Sequence, residues 1–288
     1  MMLETVRCGI DGLLSVLLSA CCAACGRLLD RPTAGPVCGG CWAGIRSFTP
    51  PFCHQCGEPL ASWRTLSQAF AACPRCRRVR GSIEASRAIG PYEGTLRQIV
   101  HAFKYDGRRT LAAPLAALMR REGAGLLDGA DLIVPVPLHP RRHRARGFNQ
   151  AADLAGHLGV PVGPILRRVR DTASQTELPA AQRHRNVRGA FAIDVRGWRR
   201  LSGKTAGSVS GRDVVLVDDV STTGATLEAC ARVLKAAGAR RVCALTAARV
   251  QAPERTRSLQ PLPSSIVRRR SRSTMAAPPG ADSSREPA

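Results

Sequence analysis

The sequence predicts an α/β domain built on a parallel sheet flanked by helices, with a small cysteine-rich module before it and a polar tail after it. Three observations carry this. The stretches "DLIVPVP" (131–137), "DVVLVDD" (213–219) and "RVCALTA" (241–247) are nearly continuous apolar runs, as strands covered on both faces require. The first two are followed by helical patterns that stop at glycines, 149–158 before Gly159 and 225–237 before Gly238, so strand and helix alternate. Composition also shifts: Cys, Gly and Pro crowd residues 20–80, and Ser, Pro and Arg dominate beyond 250. The expected divisions are 15–82 for the cysteine module, 83–250 for the α/β domain and 251–288 for a basic tail too poor in apolar residues to fold, hence disordered.

Taken in order, the chain opens with an apolar run, "IDGLLSVLLSACCAACG", too short to span a bilayer and preceded by Glu4 and Arg7. It leads directly into the paired cysteines, and no other segment approaches membrane-spanning length. The expectation is a cytoplasmic protein with reduced thiols and no membrane span. Residues 93–123 read as two helices broken near Asp106 and Gly107. "ILRRVR" (165–170) and "GAFAID" (189–194) read as strands on either side of the polar stretch 171–188, long enough to be a functional lid or disordered.

Eight of the 12 cysteines form four Cys-x-x-Cys pairs: Cys22/Cys25, Cys38/Cys41, Cys53/Cys56 and Cys73/Cys76. Two pairs present four thiolates in a tetrahedron, the arrangement of structural Zn²⁺ with Zn–S near ~2.3 Å. The simplest reading is two zinc sites, one from the first two pairs and one from the last two; spacing alone also admits interleaved pairing. A redox pair or an iron–sulfur cluster is the competing reading, and four repeats argue against redox chemistry. Cys230 and Cys243 read as small buried apolar residues.

The sharpest motif is "VVLVDDVSTTGATLEAC" (214–230), where an apolar strand runs into two carboxylates, a hydroxyl-rich turn and a helix. A helix N-terminus offers unpaired N–H groups and a positive dipole end, so the loop Ser221, Thr222, Thr223, Gly224, Ala225 and Thr226 is a phosphate site. No Gly-Lys-Ser/Thr ending follows, which excludes a Walker loop. Asp218 and Asp219 lie where they accept hydrogen bonds from two neighbouring sugar hydroxyls and help to hold Mg²⁺. A ribose 5-phosphate unit fits both halves.

With these residues the chain resembles a known family. "VVLVDDVSTTGAT" is similar to the phosphoribosyl-pyrophosphate (PRPP) signature of type I phosphoribosyltransferases. Together with the four cysteine pairs, "YEGTLRQIVHAFKYDGRR", "LIVPVPLHPRRHRARGFNQ" and "DTASQTELPAAQRHRNVRGAFA", it resembles the ComF (ComFC) family over roughly residues 15–250. The resemblance implies a phosphoribosyltransferase-like sheet behind a double zinc ribbon, with PRPP and Mg²⁺ as ligands. It implies Asp218 and Asp219 on the ribose hydroxyls, 222–226 around the 5-phosphate, and Pro137, Leu138, His139 and Arg141 on the pyrophosphate and Mg²⁺ face. It places Arg183 and Arg185, with Arg188, in the mobile catalytic lid. Purine-salvage relatives carry an acidic residue where this chain has Thr222, which argues against purine transfer. The implied role is handling of single-stranded DNA during uptake, with other DNA-uptake proteins as partners; the rival readings are a salvage transferase and a PRPP sensor without catalysis.

The formal charge of +22 suits polyanions, but only three lysines, Lys104, Lys204 and Lys235, stand among the 43 basic residues, as an arginine-favouring coding bias also produces. Aromatic residues make up only 4%, so any nucleic-acid binding is expected to be electrostatic rather than stacked.

Overall fold

The computed structural model describes residues 20–60, 72–78, 81–170, 187–194 and 209–251. The strands are β1 (Ala85–Pro91), β2 (Leu132–Pro135), β3 (Leu166–Arg168), β4 (Phe191–Ile193), β5 (Asp213–Ser221) and β6 (Arg241–Arg249). Four of them form one parallel sheet in the order β1-β6-β5-β2, and β3 pairs antiparallel with β4. The apolar runs are continuous because both faces of the sheet are covered. Val215 and Val217 of β5 join Ile133 and Leu245 in one core, while Val214 and Leu216 join Val134 and Val242 in the other. Each such side chain fully buried contributes roughly 1.5–3 kcal/mol.

Helices α1 (Gly94–Tyr105), α2 (Ala112–Glu122), α3 (Pro140–Arg146), α4 (Gln150–Ala155) and α5 (Ala225–Ala236) surround the sheet. In α1, Leu96, Ile99, Val100 and Phe103 fall on one face and are all buried, packing in the first core with Leu115 and Met119 of α2. The break expected near Asp106 and Gly107 is there, with Asp106 capping α1. On the opposite face, Leu227, Cys230 and Leu234 of α5 pack with Phe191 of β4. Cys230 and Cys243 are buried, as their apolar surroundings in the sequence suggest.

The structure departs from the expected elements at three points. Helix α4 is Gln150–Ala155, shorter than the expected 149–158, with Asn149 as its N-cap; the chain then turns so that Val162 can bridge Ile133. Strand β2 stops at Pro135, because Pro135 and Pro137 have no N–H to give a ladder. Strand β1 has no counterpart among the expected strands. Its outer edge is covered by backbone from the cysteine module: Phe48 N donates to Ile89 O at 3.2 Å, and a Cβ on Gly90 would run into the Arg46 carbonyl. The lid stretch 171–186 with Arg183 and Arg185, most of the insert before β5, residues up to 19 and the tail from 252 lie outside the described residues. Among the described residues no helix is long and apolar enough to cross a membrane.

Candidate functional site

The cysteines gather in sequence order. The sulfurs of Cys22, Cys25, Cys38 and Cys41 lie within 4.8 Å of one another, and so do those of Cys53, Cys56, Cys73 and Cys76, which rules out interleaving. The donor geometry suits a thiolate-bound metal. Backbone N–H groups of Ala24 and Cys38 reach Cys22 Sγ at 3.4 and 3.3 Å, and that of Cys56 reaches Cys53 Sγ at 3.5 Å. Gly26 and Gly57 turn the knuckles at φ 72° and 69°. Burial opposes ionisation of Cys22, yet the N–H groups aimed at its sulfur outweigh it and lower the pKa to about 6. The Cys56 thiol and the same kind of backbone donors lower Cys53 to about 4, whereas burial pushes Cys41 and Cys76 up and the hydrogen bond to Cys53 pushes Cys56 up, so each cluster without a cation favours one thiolate over its neighbours. These are two structural zinc sites of the double-ribbon type.

At the carboxyl edge of β2 and β5 an open pocket of about 180 Å³ brings together residues from distant parts of the chain. Asp218, Asp219, Thr222 and Thr226 line one side, and Pro137 and Leu138 another. Asp219, 6% exposed, is gripped by Lys104, whose Nζ lies 3.0 Å from Oδ1 and 2.9 Å from Oδ2. Burial works against the Lys104 ammonium, but Asp219, then Asp218, more than offset it and keep the pKa above the ordinary lysine value. Burial, then the charge of Asp219, pushes the Asp218 carboxyl up to about 7 against the pull of Lys104. Asp218 Oδ1 accepts from Asp219 N at 2.9 Å, and Asp219 Oδ1 from Val220 N at 2.6 Å.

Cations share the pocket with the acid pair. Arg142 and Arg146 of α3 reach the pocket, as does Arg168 of β3, which stands over the Phe191 ring. Arg146 covers the Tyr105 ring at 5.2 Å and donates to Gln150 Oε1 at 3.3 Å. Asn149 Nδ2 donates to Val136 O at 3.1 Å and so ties the end of β2 to α4. With Lys104 the lining holds four cations against two carboxylates, a field for an anionic ligand that also carries hydroxyl groups.

Not all of the expected residues line this pocket. His139 is the N-cap of α3, where its Nδ1 accepts from Arg141 N at 3.4 Å, and neither His139 nor Arg141 lines the pocket; Arg142 and Arg146, one and five positions on, do. Arg188 lines a small separate pocket beside Ala229 and Val233. The loop itself is divided. Ser221, Thr223 and Gly224 line a larger cavity of about 450 Å³ between the second cysteine cluster and α5, while Ala225, the first residue of α5, is buried. Lys104, Arg146 and Arg168 were not singled out by sequence reasoning. For Lys104 there was a signal, a lone lysine in an arginine-rich chain inside "HAFKYDGRR".

Fold and site together define a phosphoribosyltransferase-type α/β protein carrying a double zinc ribbon. The phosphoribosyl transferase domain family matches residues 144–267, and the double zinc ribbon domain family matches 13–77. A DNA utilization protein (YhgH) of Salmonella typhimurium is 34% identical over 214 residues, covering 70% of this chain and 86% of that protein. Competence protein F of Haemophilus influenzae is 32% identical over 70% of this chain and 85% of its own length, and competence protein ComFC of Bacillus subtilis 26% identical over 69% and 77%. The chain belongs to the ComF family.

Proposed function

We propose that the pocket at the sheet edge binds PRPP with Mg²⁺, and that the protein uses this ligand while handling single-stranded DNA in the cytoplasm. The observation that carries the first part is the gathering of both kinds of group in one pocket. Asp218, Asp219, Thr222 and Thr226 line it together with Arg142, Arg146, Pro137 and Leu138. In this reading the carboxylates accept the ribose hydroxyls. Thr222, Thr226 and the first N–H groups of α5 hold the 5-phosphate. The α3 arginines take the pyrophosphate, which Arg–phosphate pairs recognise well. Bound Mg²⁺ supplies neutralisation of pyrophosphate charge; Lys104 already engages Asp219, so Asp218 is the oxygen donor that fits it best.

DNA handling is supported by the names of the relatives and by exposed arginines, Arg77 and Arg78 in the second ribbon and Arg141 and Arg144 on α3. Titration calorimetry of Mg-PRPP tests the pocket. The protein should bind it, and Asp218→Asn with Asp219→Asn should weaken binding at least ~tenfold, about 1.4 kcal/mol; unchanged affinity rejects the assignment. Pyrophosphate release when bases and amines are offered identifies an active transferase. Tight binding without release identifies a PRPP-dependent DNA-handling or sensing protein.

A further inference from the structure

Arg75 stands between the cluster ligands Cys73 and Cys76, and its Nη2 donates to the carbonyl oxygen of Thr223 at 2.6 Å, in the middle of the phosphate loop. In a trans peptide the carbonyl and the next N–H point in opposite directions. Holding Thr223 O toward the ribbon therefore fixes the plane of the Thr223–Gly224 peptide and turns the Gly224 N–H away from the ribbon. Gly224 sits at φ 75°, a conformation other residues resist, and it opens a helix whose first turn presents further unpaired N–H groups. The Thr223 hydroxyl is buried without a hydrogen-bond partner, so the side chain does not fix this peptide and an external anchor has to.

The rest of the second ribbon is tied down around the same loop. Arg249, 9% exposed and opposite Ser221 in the β5–β6 register, donates to the Cys56 carbonyl and pairs with Glu58 at 3.0 Å. Gln55 donates to Ile83 O at 3.3 Å, and Ser82 N donates to both carboxylate oxygens of Glu228 on α5 at 2.9 and 3.1 Å. We propose that Arg75 is a positioning residue for the phosphate loop, and that zinc at the second cluster, by fixing Arg75, sets the loop's affinity for a phosphate-bearing ligand. This rests on reading the adjoining pocket as the PRPP site.

Full-length, zinc-loaded Arg75→Ala and Arg75→Lys, compared with the unaltered chain, test it with two readouts. Without ligand, the amides of residues 224–229 should exchange at least ~fivefold faster in Arg75→Ala and at an intermediate rate in Arg75→Lys, whose ammonium can still donate one hydrogen bond. Both variants should keep two zinc ions. The dissociation constant for Mg-PRPP should rise ~tenfold in Arg75→Ala and recover in part in Arg75→Lys, with inorganic phosphate as a second probe following the same order. Unchanged exchange in Arg75→Ala overturns the anchor, and so does loss of a zinc ion, because the effect would then pass through folding of the cluster. If the unaltered chain binds no Mg-PRPP, the reading of the pocket fails, and the exchange comparison alone decides the anchor.

Discussion

The two zinc sites are both built from a pair of Cys-x-x-Cys knuckles but are attached to the molecule in different ways. Cys22 of the first is 3% exposed and lies, with Leu29 and Val37, in the same apolar core as Ile99, Phe103 and Met119; Trp42 and Ile45 pack against that core. The second is attached by directed hydrogen bonds: Arg75 to Thr223, Arg249 to Cys56, Gln55 to Ile83 and Arg87 to His54. Apolar contact is non-directional and scales with area, at roughly 25 cal/mol per Å². A hydrogen bond adds only about 1 kcal/mol but fixes where a group points. The first site therefore supports stability, and the second supports placement.

The largest effect should come from breaking each site in turn. Elemental analysis should find two zinc ions per chain, with Cys22→Ser and Cys53→Ser each losing one. Cys22→Ser should also destabilise the α/β domain, by roughly 3 kcal/mol or more in urea unfolding, because it opens a shared core. Cys53→Ser should leave the domain folded. From the sequence, chelation is expected to release the whole cysteine module while the α/β domain survives; the shared core narrows that expectation to the second site. Equal destabilisation by the two variants would erase the distinction.

A smaller effect sharpens the comparison through nucleic acid. If the second ribbon is the one turned to function, Arg77→Ala with Arg78→Ala should weaken single-stranded DNA binding several-fold and reduce the salt slope by about one per arginine that contacts a phosphate. Arg27→Ala with Arg31→Ala in the first ribbon should change little, and binding should survive deletion of 251–288. Loss of binding on deleting the tail alone would assign it to the "RRRSRS" run.

The smallest effect lies in the acid pair. Burial and Asp219 hold the Asp218 carboxyl protonated up to about pH 7, well above the range in an unfolded chain. The folded state binds the extra proton between those values, so stability falls as pH rises from about 4 to about 7. Asp218→Asn should thus raise the melting temperature at pH 8 and do so less at pH 5. An equal change at both pH values would contradict the shift.

The acid pair, the turn into α5 and the cysteine clusters were legible in the sequence because each is local: ligands three residues apart, or a strand end, turn and helix start within 13 residues. What was not legible arrives from elsewhere in the chain. Lys104 reaches Asp219 across 115 positions, and Arg146 and Arg168 enter the pocket from a helix and a hairpin whose own patterns say nothing about it. His139 caps its helix, a use that "PLHPRR" does not distinguish from a ligand role. Strand β1 was missed because Arg87, Gly90 and Pro91 interrupt its apolar pattern, and they are tolerated because ribbon backbone covers that edge.

The most direct test of the account is where PRPP binds. Hydrogen exchange with and without saturating Mg-PRPP separates the two sides of the phosphate loop. The account predicts protection at residues 217–228 together with the end of β2 and α3, and little change at 81–86 beneath the second ribbon. Protection concentrated at 81–86, with none at α3, would place the ligand in the larger cavity and contradict the assignment of Asp218 and Asp219.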